Sequence, residues 1–370
     1  MLLNLHLLRA IAALAVVYFH TTSDAGLNLP VNIGSHGVDL FFVISGFVIA
    51  YTAARSPDRF LIRRIIRVVP SYWTATIVIF AVSAVAPHLL RTTRADDVQL
   101  LCSLLFIPRE TSYAGMAPTL VLGWSLNYEM YFYVAFALAL AVAPRRAPIV
   151  CAVAIGGMAL LIDGSGVSHP SLQFYARPLV FEFVFGIAVF YLLTAAEALL
   201  SRSERRTSIR WVLLFVAIGA ALFMGVEEFH GGFGLPRFLV AGIPASLLVL
   251  SAILLERACG VKTTSKAVLL AGEASYVLYL IHPYVIYGVL RTLLARHGQL
   301  TWPAAIGLVT ALMAMSTVAA IVVHLWFEKP VMMRLRRRLL RPRASSPALP
   351  RRLASIPAAG APLNSRMSVP

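Results

Sequence analysis

Ten apolar runs, separated by short polar segments, restrict what this chain can fold into more than any other feature. They lie near 2–19, 37–54, 69–85, 121–142, 149–162, 179–193, 211–226, 238–255, 274–294 and 303–326. A helix needs about 20 apolar residues to cross the hydrocarbon of a bilayer. Lipid offers the backbone no hydrogen-bond partner, so only helices and closed barrels can span it. The runs are continuous and do not alternate, which predicts an all-α fold: a polytopic transmembrane bundle of about ten spanning helices. Of the 370 residues, 59% are hydrophobic and 13% charged, and the mean hydropathy is +0.80. A net charge of +16 would suit a nucleic-acid partner on a soluble domain. Here the basic residues cluster between apolar runs, which reads as membrane topology and argues against nucleic acid.

Basic residues favour cytoplasmic loops. With the N-terminus inside, the predicted inner loops carry fourteen Lys and Arg, in clusters such as Arg59–Arg67 and Arg202–Arg210, against seven outside. The apolar stretch 98–108 is too short to cross and is expected to be interfacial. The chain thus divides into a membrane domain, 1–330, and a basic tail, 331–370, rich in Pro, Ala, Ser and Arg and expected to be disordered beyond about residue 345. Its proximal arginines suit an anionic inner leaflet. Cys102, Cys151 and Cys259 show neither metal-ligand spacing nor a disulfide framework, so no metal is expected. Arg9 interrupts the first run and argues against a cleaved signal.

Ionisable residues within a span are costly and are functional candidates by default. Arg9 and His20 are eleven residues apart, which places both on one helix face about 16 Å apart along the axis. Asp39, at the start of the second run, is expected at a depth similar to His20, where a carboxylate could hold the imidazole. In WSLNYEMYFY, Ser125 and Glu129 sit one turn apart, with Trp124 beside them. In ASYVLYLIHPYVI, Ser275, Tyr279 and His282 form one stripe. Arg63, Arg64 and Arg67, just before the third run, suit phosphates through paired charged hydrogen bonds. Each side chain also fits a plainer role. His20 and Asp39 suit a wet surface, Glu129 and His282 suit helix packing, and the arginines suit positive-inside signalling. A proton-coupled secondary transporter would use the same residue types, and a non-catalytic assembly subunit stays open.

Taken in order, LRAIAALAVVYFH, GVDLFFVISGFVIA, FLIRRIIRVVPSYW, WSLNYEMYFY and ASYVLYLIHP resemble the acyltransferase 3 family of integral-membrane acyltransferases over roughly residues 5–330. The resemblance implies an O-acyltransferase of the bacterial inner membrane with both termini cytoplasmic. It would take acyl groups, acetyl most commonly, from cytoplasmic acyl-CoA to a hydroxyl of a glycan or lipid-linked sugar, or of a small metabolite such as a macrolide. Arg9, Arg63, Arg64 and Arg67 would then bind the CoA phosphates and His20 would act as general base. Asp39, Glu129 and His282 would assist it, and Trp124, Ser125, Ser275 and Tyr279 would contact substrate. Acyl-CoA is a donor substrate here, with no permanently bound cofactor expected. The sequence leaves the acceptor, the acyl length, the oligomeric state and the choice between general-base and acyl-histidine chemistry open.

Overall fold

The computed structural model describes residues 2–24, 32–90, 92–200, 206–293 and 301–340. Its helices are α1 (Leu3–Asp24), α2 (Gly37–Arg55), α3 (Phe60–Val85), α4 (Asp97–Leu104), α5 (Trp124–Val142), α6 (Ala147–Gly164), α7 (Pro170–Ala176), α8 (Val180–Leu200), α9 (Arg206–Phe229), α10 (Arg237–Val240), α11 (Gly242–Arg257), α12 (Lys266–Leu293), α13 (Trp302–Val323) and α14 (Lys329–Leu339). Among the described residues, ten segments are long and apolar enough to cross a membrane, and they coincide with the ten runs. α4, about 12 Å long at its eight residues, cannot cross. Its N-cap, Asp96, accepts from the Gln99 amide at 2.8 Å and from Arg109 at 3.0 Å. Those donors hold the Asp96 carboxyl below its ordinary value.

The apolar runs understate the helices where polar residues have somewhere to go. α3 begins nine residues before its run, so Arg63, Arg64 and Arg67 are helical and not in a loop. The last span continues past the expected boundary through a π turn (His324–Glu328) into α14. Residues 331–339, assigned by sequence to the tail, are therefore helical, while the expectation of disorder beyond residue 345 lies outside the described residues.

α2 sits at the centre, against α1, α5, α8 and α11, and twelve of its nineteen residues are buried. Such burial means that α2 meets protein on all sides. α9 lies at the other extreme, with Phe215, Ile218 and Leu222 exposed, as a lipid-facing helix must be. Where α2 crosses α8, Gly46 and Gly186 face each other. A methyl on Gly46 would overlap the Phe183 carbonyl oxygen, and one on Gly186 the Val43 carbonyl oxygen. Small residues permit close approach in a membrane, where helix association depends on packing. The prediction is that Gly46→Ala and Gly186→Ala each cost about 1–3 kcal/mol by overpacking, seen as a lower unfolding midpoint in detergent. Gly157→Ala, where nothing lies within 4 Å, leaves the midpoint the same or raises it.

Candidate active site

Five helices, α1, α2, α3, α5 and α12, converge on a cavity lined by Arg9, Ser45, Arg64, Arg67, Glu129, Tyr133, Ser275, Tyr276 and Tyr279. Three guanidinium groups inside an apolar bundle need compensation, and the surroundings supply it. Glu129 accepts hydrogen bonds from Ser45 at 3.1 Å and from the Tyr133 hydroxyl. Arg67 donates to the fully buried Glu328 at 3.1 Å and lies over the Tyr276 ring, 5.7 Å from its centroid. Arg64 donates to the Thr52 hydroxyl. Among these residues the cations still outnumber the carboxylates, which leaves the cavity receptive to anions. At about 120 Å³ it is smaller than a pocket for a drug-sized ligand.

A second cavity, of about 480 Å³, is lined by Phe19, His20, Ser23, Leu90, Thr92, Thr93, Val121, Leu122, Pro283, Tyr284 and Tyr287. The His20 ring lies 5.2 Å from that of His282, centroid to centroid. His282 Nδ1 bonds the Leu278 carbonyl at 2.9 Å. A carbonyl only accepts, so Nδ1 carries the proton and Nε2 is the basic nitrogen of the neutral ring. One polar thread joins the two cavities. The Ser125 and Tyr279 hydroxyls are 2.8 Å apart, and the Tyr279 ring lies 6.3 Å from His282.

The structure brings together Arg9, Arg64, Arg67, Glu129, Ser125 and Tyr279 around one cavity, while His20 lines the other with His282 beside it. Ser275 lines the first cavity and bonds the Gly272 carbonyl at 2.8 Å. Three expected residues sit elsewhere. Arg63 is half-buried outside the cavity and donates to Ser56, because it points about a third of a turn away from Arg64. Trp124 packs edge-on against Phe42 and Tyr128. Asp39 is tied to Arg237, at 2.6 and 2.9 Å, and not to His20. The cause is depth: Gly34 and Gly37 pack against the Ala15 and Ala12 carbonyls, so α2 starts about 12 Å below His20 along α1. Glu129 likewise lies a turn beyond Ser125, at the arginines and not at the imidazoles.

Sequence reasoning missed Glu328 and its network. Glu328 also pairs with His324 Nδ1 at 2.5 Å, and Glu273 lies near His324 Nε2 at 3.6 Å and Lys329 at 3.5 Å. The available signal was an isolated acid at the end of the last run, just before a strongly basic segment.

Around Asp39 the protein forms an ionic clasp. His36 Nε2 meets Glu227 at 2.6 Å and Nδ1 lies 3.5 Å from Asp39, while Glu228 accepts from the Gly34 and Ser35 amides, each at 2.6 Å. Burial disfavours a charged imidazole, but the Asp39 and Glu227 carboxylates outweigh it and hold the His36 pKa above its ordinary value. Such a group contributes stability in full below its unfolded pKa of about 6.5 and loses it as pH rises through the higher folded value. The unfolding midpoint in detergent is therefore expected to fall as pH rises above about 6.5, and to fall less in His36→Gln. Equal slopes for the two proteins would remove His36 from the clasp.

The whole is a helical membrane bundle with a cationic cavity and a second cavity lined by His20. Residues 2–325 match the acyltransferase domain that defines the acyltransferase 3 family, and the chain belongs to that family. It is 33% identical over 336 residues to the exopolysaccharide production protein ExoZ of Rhizobium meliloti (strain 1021), covering 86% of this chain and 96% of ExoZ. It is 28% identical over 350 residues to the acyltransferase MdmB of Streptomyces mycarofaciens, covering 85% of this chain and 84% of MdmB. No solved structure matches the chain significantly.

Proposed function

We propose that this acyltransferase moves an acyl group, most simply acetyl, from cytoplasmic acyl-CoA to a hydroxyl of a glycan or glycolipid acceptor. The observation that carries the reading is the stacking of two cavities along one polar thread, arginines at one end and imidazoles at the other. The ends of the thread lie on α1 at Arg9 and His20, about 16 Å apart, on the order of an extended pantetheine arm. In this reading the arginine cavity faces the cytoplasm, in keeping with the distribution of basic loops, and both termini are cytoplasmic. The nucleotide stays at its mouth with its phosphates on Arg64 and Arg67, while the arm enters past Arg9. A donor bound this way never carries its phosphates across the bilayer. The resemblance to an exopolysaccharide production protein supports a sugar hydroxyl as acceptor, and the larger histidine cavity has room for one.

His20 acts as general base on the acceptor hydroxyl, with His282 adjacent as a second proton acceptor; general-base catalysis of this kind is typically worth 10²- to 10⁴-fold. Glu328 holds Arg67 in place, and Glu129 moderates the repulsion among the three arginines.

The test supplies membranes with radiolabelled acetyl-CoA and follows the label into glycan and lipid fractions. His20→Ala is expected to lower transfer by at least about 10²-fold, and an unchanged labelling pattern would remove His20 from the mechanism. Arg64→Gln and Arg67→Gln are expected to raise KM for acetyl-CoA several-fold with a smaller effect on kcat, as loss of binding shared by ground and transition states requires. Uptake of solute without consumption of acetyl-CoA would favour a transporter instead.

A further inference from the structure

Where the linings of the two cavities adjoin lies a contact that the mechanism above does not use. The Tyr279 hydroxyl meets Ser125 at 2.8 Å and lies 3.4 Å from the Leu122 carbonyl, to which Ser125 itself donates at 3.1 Å. Ser125 and Tyr279 line the arginine cavity, whereas Leu122 lines the histidine cavity. All three are buried, and Phe41 packs 6.1 Å from the Tyr279 ring. On the acyl-CoA reading, an acyl group passing from arginine to imidazole parts the Ser125–Tyr279 pair. At that moment the phenolic O–H loses its resting acceptor, and the incoming thioester carbonyl is the oxygen that replaces it.

We infer that Tyr279 is a catalytic residue whose hydroxyl donates to the oxyanion of the tetrahedral intermediate, with Ser125 as its resting partner. This rests on the acyl-CoA reading above. In the step, the acceptor oxygen bonds to the thioester carbon as its proton passes to His20. The carbonyl π pair moves to oxygen, where Tyr279 donates its hydrogen bond. Collapse re-forms the carbonyl and breaks the carbon–sulfur bond, the electron pair leaves with sulfur, and the imidazolium returns the proton to the CoA thiolate. Donors aimed at developing charge in a dry site are among the largest catalytic terms. Phe41 and Leu122 keep this site dry.

The experiment measures radiolabelled acetyl transfer to endogenous acceptor in membranes holding equal amounts of each variant, with CoA binding by the purified variants as the check on folding. Tyr279→Phe is expected to lower kcat by about 10²- to 10³-fold with KM for acetyl-CoA and CoA affinity within about two-fold. Replacing Tyr279 by 3,5-difluorotyrosine, of similar shape and a stronger donor, preserves the rate. A Tyr279→Phe protein with near-normal kcat, or one impaired only in KM, overturns the assignment; so does a difluorotyrosine protein as slow as Tyr279→Phe. If His20→Ala is inactive while Tyr279→Phe is normal, the Tyr279 assignment fails and the acyl-CoA reading survives. If His20→Ala labels like the unmodified protein, the general-base mechanism fails, and the Tyr279 step with it.

Discussion

A charge inside an apolar bundle persists only where another group or water answers it, and that requirement organises this protein. Arg9, Arg64 and Arg67 would be prohibitively costly facing lipid. They are accommodated because Glu328, in the π turn after α13, pairs with Arg67, and Glu129, on α5, lines the same cavity. The helices that supply these carboxylates are thereby fixed relative to α1 and α3, so the polar network sets the arrangement that dispersion and close packing then fill. The π turn fits the same logic. An extra residue in one turn brings His324 and Glu328 against each other, and Glu328 Oε1 is left for Arg67.

The spans were legible in the sequence because lipid imposes a length and an apolar composition that no other environment demands. Their ends were not, because the rule that polar residues mark loops fails wherever a bundle encloses water or opposite charge. Arg64 and Arg67 read as loop residues and are helical for this reason. The grouping of site residues was legible to the extent that it followed helical spacing: Ser125 with Glu129, and Ser275 with Tyr279 and His282, share faces as expected. Depth was harder to read. Sequence implies that the end of α1 and the start of α2 reach one common level, yet α2 begins alongside Ala12 and Ala15. That offset takes Asp39 away from His20 and gives it to Arg237, whose position more than 190 residues downstream no local pattern reveals.

Two separate ionic systems result, and they differ in kind. The clasp of His36, Asp39, Glu227 and Arg237 is nearly saturated, with both Asp39 oxygens on one guanidinium. It joins the start of α2 to the end of α9 and to α10, a structural role. The arginine cavity is different: Arg9, Arg64 and Arg67 open onto empty space, and the nearby acids do not match them in number. A protein built only for stability gains little from buried cations held beside a void, since apolar side chains of similar volume commonly serve as well or better.

The same contrast bears on why the two cavities are kept apart. Water running continuously from arginines to imidazoles would screen the field of the guanidinium groups and offer a competing nucleophile for any activated acyl group. In the proposed mechanism the bonded hydroxyls of Ser125 and Tyr279 divide that path at the cost of one exchangeable contact. On the proposed reading, the contact yields only to an arriving carbonyl that can take over the phenolic proton donor, so that opening the passage and stabilising the intermediate draw on one hydrogen bond.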